Sequence, residues 1–164
     1  QLTITQQLSE VGIDVDFITG SGYPIAALVD AISAQRIPDL VTYHLNDIES
    51  DAFQEVAQAY GEQTGQYFGP NVSYGYTTGK LIAHAIEEAG EASASAINGV
   101  MGDISFDTIY SNPIQYQNNG ELHNQINNFS RIELEAPDYA PDANASISQF
   151  FQSEPLPAIP AELN

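Results

Sequence analysis

The sequence predicts an α/β fold built from parallel βαβ units, and three observations carry that prediction. Asp14-Val15-Asp16-Phe17-Ile18 alternates polar and apolar side chains with the period of a half-buried strand. Thr19-Gly20-Ser21-Gly22 follows as a small-residue turn. Behind Pro24, which suits a first helical position because its missing N–H would find no partner there, Ile25, Leu28, Val29 and Ile32 recur at helical spacing. Ile37-Pro38 stops that helix, and Leu40-Val41-Thr42-Tyr43 reads as a second short strand. Strand, helix and strand in close order argue for a parallel pair joined by a crossover. In open sheets of this kind ligands bind at the carboxyl ends of strands, which places interest on residues 19–23. Taken alone, the same residues fit an ordinary βα connection at least as well.

The remaining elements follow in order. Ile4, Leu8 and Val11 give a short helical stripe closed by Gly12. Asn46-Asp47-Ile48-Glu49-Ser50 is a polar crossing segment. Ser50 or Asp51 caps a helix whose apolar side is Phe53, Val56, Ala57 and Tyr60, and Gly61 opens a loop that reaches Pro70. Ser73 is expected to cap the clearest helix, with Leu81, Ile82, Ala85, Ile86 and Ala89 on one broad side and Gly90 just past its end. Another helical piece runs over residues 92–100. Residues 103–106 and 113–117 read as short strands, and Asn118-Asn119-Gly120 as a hairpin turn. From Ala136 onward five prolines and few apolar clusters suggest an extended, surface-running tail.

The 164 residues suffice for one core. Acidic residues number 22 against three basic ones (Arg36, Lys80 and Arg131), a net charge of -19. Nucleic acid and anionic membrane surfaces are poor partners for such a chain. Its self-repulsion is tolerable at about 1 M salt, where the Debye length falls to ~3 Å, so a halophilic source is one expectation and a merely acidic protein the other. Without cysteine there is no disulfide, thiolate metal site or cysteine nucleophile. No run of about 18 apolar residues is present, so the chain is not expected to span a membrane. Asn71, Asn128 and Asn144 head glycosylation triplets, which by themselves prove nothing.

Tests for chemistry return little. A dinucleotide fingerprint beginning Gly20-Ser21-Gly22 would need glycine where Ile25 stands. Gly75 to Lys80 is one residue short of a phosphate loop, and Leu81 replaces its hydroxyl residue. Thr19 and Tyr23 occupy the glycine places of a nucleophile elbow around Ser21. His84 and Glu88 share a helix face, but a lone pair at that spacing is more often a surface hydrogen bond than a metal site. Asp103, Asp107, Glu133 and Glu135 fit no calcium loop. No metal, cofactor or catalytic residue is assigned, and enzyme activity is not expected. Tyr23, Tyr43, Tyr74 and Tyr76 fall near element ends, where a tyrosine lines a pocket or simply sits half-buried.

The ordered set Leu8-Ser9-Glu10-Val11-Gly12-Ile13, Asp16 to Gly20, Asp51-Ala52-Phe53 to Tyr60-Gly61, Ser73 to Gly90, and Gly102-Asp103-Ile104-Ser105-Phe106-Asp107 through Leu122 resembles the C-terminal half of type I periplasmic solute-binding proteins of ABC transporters, in their branched-chain amino-acid and amide branch. It covers about residues 4–125, and the chain beyond Ile126 departs from the pattern. The resemblance implies a Venus-flytrap protein of which this chain is the C-terminal part. It implies C-lobe over 1–45, N-lobe over 46–101, a return to the C-lobe over 102–125 and a Pro-rich tail over 126–164. Hinges would lie near Leu45-Asn46 and Met101-Gly102. The implied partners are a small polar solute, held by Ser21, Gly22 and Tyr23 with Tyr43 near the hinge, and an ABC permease; the implied location is periplasmic or extracellular. Amino-acid binders of the family carry an acidic residue where this chain has Ser21, which leaves amides and urea-like solutes open beside amino acids. A ligand-sensing receptor domain of the same fold and a non-transport surface protein are the alternatives.

Overall fold

The structure, a computed structural model, describes residues 7, 10–13, 18–20, 40–116, 120–143 and 145–155. β1 (Ile18–Gly20) and β2 (Leu40–His44) are parallel neighbours, with Ile18 beside Leu40 and Gly20 beside Thr42. The expected parallel pair is therefore present. Thr19 and Gly20, expected in the turn, belong to the strand; residues 14–17 and the helix expected at 25–35 lie outside the described residues. β3 (Ser105–Phe106) and β4 (Ile114–Gln115) form a separate two-stranded ladder. An antiparallel bridge from Tyr116 to Leu122 flanks Gly120, which has φ 82°, close to the expected turn.

β5 (Asn128–Glu133) and β6 (Ser146–Gln152) extend the sheet antiparallel, in the order β1-β2-β5-β6. Both fall where an extended Pro-rich tail was expected over 126–164. The chain is extended there, but it is hydrogen-bonded into the sheet as far as Gln152 rather than left to run unpaired. Pro137 and Pro141 sit in the connection between the strands, where a missing N–H costs no ladder bond.

α1 (Asp51–Thr64) starts on Ser50, whose Oγ accepts from the Phe53 amide at 3.2 Å. It buries Phe53, Ala57 and Gly61, four residues apart, on one side. Gly61 was expected to end this helix, yet the helix runs on to Gly65, whose left-handed φ of 69° closes it. α2 (Pro70–Ala89) begins with Pro70 behind Gly69, not at Ser73. Proline at N1 has a preset φ and lacks the N–H that a cap would satisfy. Ser73 consequently lies inside the first turn, wholly buried, and its hydroxyl donates to the Pro70 carbonyl at 2.7 Å. Gly90 terminates α2 with φ 66°, and α3 (Ala94–Val100) is capped by Ser93. Among the described residues, no helix is long and apolar enough to cross a membrane.

Ile48, Phe53, Ala57, Phe68 and Ile109 form the buried cluster between these elements. Phe68 is its centre. The rings of Phe53 and Tyr60 each lie 5.4 Å from it, and Tyr76 meets it edge-on at 6.2 Å. Tyr76 is thus a core residue rather than a pocket wall. Tyr139 and Ile147 pack against the same cluster, so the core joins the helices to β6. Phe68→Ala removes a fully enclosed ring and is expected to cost about 3–5 kcal/mol, read as a fall in the urea midpoint with an unchanged slope.

Candidate functional site

The described elements meet where the chain leaves the sheet and comes back. After β2 it departs through residues 45–47, runs through α1, α2 and α3, and returns through 109–111. The two crossings lie side by side and antiparallel. The Asp47 amide donates to the Ile109 carbonyl at 2.9 Å, the Ser111 amide to the Leu45 carbonyl at 3.2 Å, and Asn46 bridges Tyr110. Met101, expected near the second hinge, caps the end of α3, and the segment that pairs with residues 45–47 is 109–111. A glycine after an apolar helix marks where the helix stops, and sequence alone cannot say which later segment pairs with the first crossing.

A buried polar cluster holds the crossings to the sheet. The Asn128 side-chain amide donates to the Asn46 carbonyl at 2.7 Å and to Ser111 Oγ at 2.6 Å. Its oxygen accepts from Gln152 Nε2 at 3.0 Å. Asn46 Nδ2 in turn donates to Ser73 Oγ at 2.7 Å, which ties the first crossing to α2. One amide therefore joins the first crossing, the return crossing, β5 and β6. His44 lies beside it, wholly buried, with Nδ1 3.0 Å from the Asn46 carbonyl and Nε2 2.9 Å from Ser130 Oγ. A carbonyl only accepts, so Nδ1 carries the proton and Nε2 accepts from the serine hydroxyl. Burial lowers the His44 pKa to about 4, against smaller upward pulls from the Asn46 carbonyl and Asp47. The ring is neutral at pH 7.

No family model matches the sequence, and no curated protein matches it either. Solved structures do. A leucine-binding protein of Thermotoga maritima superposes with a TM-score of 0.68 at 15% identity, over 94% of this chain and 41% of that one. A solute-binding protein of an ABC transporter from Rhodopseudomonas palustris, in complex with 3,4-dihydroxybenzoic acid, gives 0.67 at 13% identity, over 94% of this chain and 49% of that one. A leucine-, isoleucine-, valine-, threonine- and alanine-binding protein from Brucella ovis gives 0.60 at 12% identity, over 92% and 46%. The chain carries part of the type I periplasmic-binding-protein fold. It spans between two-fifths and one-half of the length of these type I proteins.

Of the residues expected to bind a solute in this type I framework, Ser21, Gly22 and Tyr23 lie outside the described residues. Tyr43 is described. It stands 41% exposed on the sheet face opposite His44, its ring 6.3 Å from Phe129, which in turn lies 5.6 Å from Phe151. Tyr74 meets Tyr110 edge-on at 6.3 Å, beside the return crossing. Near the crossings, Leu45, Tyr110, Ile114 and Leu122 help enclose a cavity of about 10 Å³, room for one water and no solute. Among the described residues no three metal-ligating side chains gather; the His84 ring packs 4.9 Å from Phe106. Asn128 and Ser130, read from sequence only as a glycosylation triplet, are wholly buried, so that triplet is closed in the folded chain.

Asn128→Ala removes one donor each from the Asn46 carbonyl and Ser111 Oγ, which keep His44 Nδ1–H and Gln152 Nε2, and is expected to cost about 1–2 kcal/mol in urea melts. His44 gives a pH dependence of fixed sign. Its folded pKa lies below the ordinary 6.5, so its contribution is intact above pH 6.5 and is lost as pH falls toward 4. Between pH 7 and pH 5 that loss is about 2 kcal/mol, and the His44→Gln variant is expected to lack this part of the pH slope.

Proposed function

We propose that the chain is the C-terminal part of an extracytoplasmic solute-binding protein that delivers a small polar solute to an ABC permease. The observation that carries this is the likeness of 90% or more of the chain to solved solute-binding proteins of ABC transporters. The paired crossings beside the carboxyl end of β2 support it, since a chain that leaves a sheet and returns beside its exit provides a pivot between two bodies. Residues 1–45 would then belong to one lobe and the helices over 46–101 to the other, with solute held where they face.

The solute contacts proposed are Ser21, Gly22 and Tyr23, which follow β1 directly in the chain, and Tyr43 on β2. Ser21 offers a hydroxyl and no charge, so it cannot pair with an ammonium as a carboxylate would. That favours an amide or another uncharged polar group at this point of the solute. The solute contacts both bodies only when they close, and its binding energy shifts the population toward the closed form.

The test is a thermal-shift and calorimetric panel of amino acids, aliphatic amides, urea and aromatic carboxylates on the chain. At least one class is expected to raise the melting temperature in a saturable way. Tyr43→Ala should weaken that solute about tenfold while leaving the unliganded melt within 2–3 °C, the size of a surface change. Silence across the whole panel would overturn the proposal.

A further inference from the structure

The connection from β5 to β6, residues 134–145, does not stay with the sheet. It reaches across to α1, and Tyr139 is where it lands. Any Cβ at Gly61 would overlap the Tyr139 carbonyl oxygen and would come within 2.8 Å of its ring. The Tyr139 ring stacks on Tyr67 at 6.2 Å and 11°. Ala140 and Ala145 on the same connection are buried. Two successive turns shape it, the Ala140 amide donating to the Pro137 carbonyl and the Ala143 amide to the Ala140 carbonyl, each at 2.9 Å. Burial pushes the Tyr139 hydroxyl up to about 12, against a Phe68 backbone hydrogen bond acting the other way, as suits a seated ring rather than one lying on the surface.

The position of this contact matters as much as its tightness. Both crossings sit at the end of the sheet marked by His44, Asn128 and Gln152. Residues 134–145 leave β5 after Glu133 and rejoin β6 at Ser146, the opposite end. Five residues of strand separate those ends, roughly 17 Å. The crossings tie the layers at one end. The strap starts from the other end and adds to the core contact of Ile147 a second tie between sheet and helices there. Glycine inside α1 costs about 1 kcal/mol of helix stability relative to alanine, and the close approach of Tyr139 is the physical reason to keep it.

We propose that residues 134–145 are a strap that latches the helices to the far end of the sheet, with Tyr139 seated on Gly61 as its catch. While the catch is seated, the helices and the sheet hold one arrangement; when it lifts, they turn about the paired crossings. The strap lies beyond the residues that carry the family resemblance. Its purpose rests on the reading of two moving bodies given above, whereas its existence does not.

Gly61→Ala tests it, because alanine favours the helix and evicts the catch. Gly75→Ala and Gly79→Ala in α2 are the controls, since a Cβ at either position meets nothing within 4 Å. The chain has no cysteine, so spin labels at Ala59→Cys on α1 and Ser148→Cys on β6 report their separation directly. Gly61→Ala is expected to speed amide exchange over residues 138–143 at least tenfold and to broaden the label distances, with α1 still protected. The two control substitutions are expected to change neither. Tyr139→Ala, which leaves Gly61 in place, should give the same broadening and stands in if Gly61→Ala fails to fold. Unchanged exchange in the strap would overturn the proposal, and so would a freed strap with unchanged distances. No solute enters these readouts, so silence of the solute panel leaves them intact.

Discussion

The structure depends on one buried amide. Asn128 reaches the backbone of the first crossing, the hydroxyl of the return crossing and the side chain of β6's last residue. The Asn46 carbonyl belongs to a buried residue, so that bond would cost about 1–3 kcal/mol if left unmade. A crossing strand carries polar backbone without the ladder that satisfies it in a sheet, and an amide with two donors and an acceptor is the smallest side chain that can serve three such groups together. Through Asn46 and Ser73 the same network continues into α2, so the polar cluster links both layers beside the core residues Ile48 and Ile109.

That sheet face is costly in other ways. Thr42, His44, Asn128 and Ser130 are all buried on it. Within the described residues the Thr42 hydroxyl, the Asn46 side-chain oxygen and the Gln149 side-chain oxygen are buried without a hydrogen-bond partner. An apolar face would be more stable. A polar one is more selective about geometry, because its bonds are satisfied in few arrangements. The opposite face is aromatic instead. Tyr43, Phe129 and Phe151 run across three strands, and Phe150, displaced by the irregularity between Phe129 and Ser130, stacks beneath Arg131 at 4.9 Å.

The fold likeness and the strap bear on each other. The type I neighbours match over nearly all of this chain, yet the chain spans at most half of theirs. The connection between β5 and β6 adds apolar contact between the layers through Tyr139, Tyr67 and Phe68.

What the sequence by itself determined were the local events. Ser50 as a cap, Gly90 as a stop, the helix over 51–64 up to Gly61 and the strand at 40–43 were all legible, because each depends on neighbours within a few residues. The ordered elements also pointed to the right fold class. Only the tertiary structure decided what distant residues do. Gly61 reads as a breaker until Tyr139, 78 positions later, is seen above it. Ser73 reads as a cap until Pro70 claims the helix start and Asn46 claims its hydroxyl. Asn128 reads as a glycosylation triplet until the crossings close around it. In each case the residue type is common and its meaning comes from a partner far along the chain, which no local pattern records.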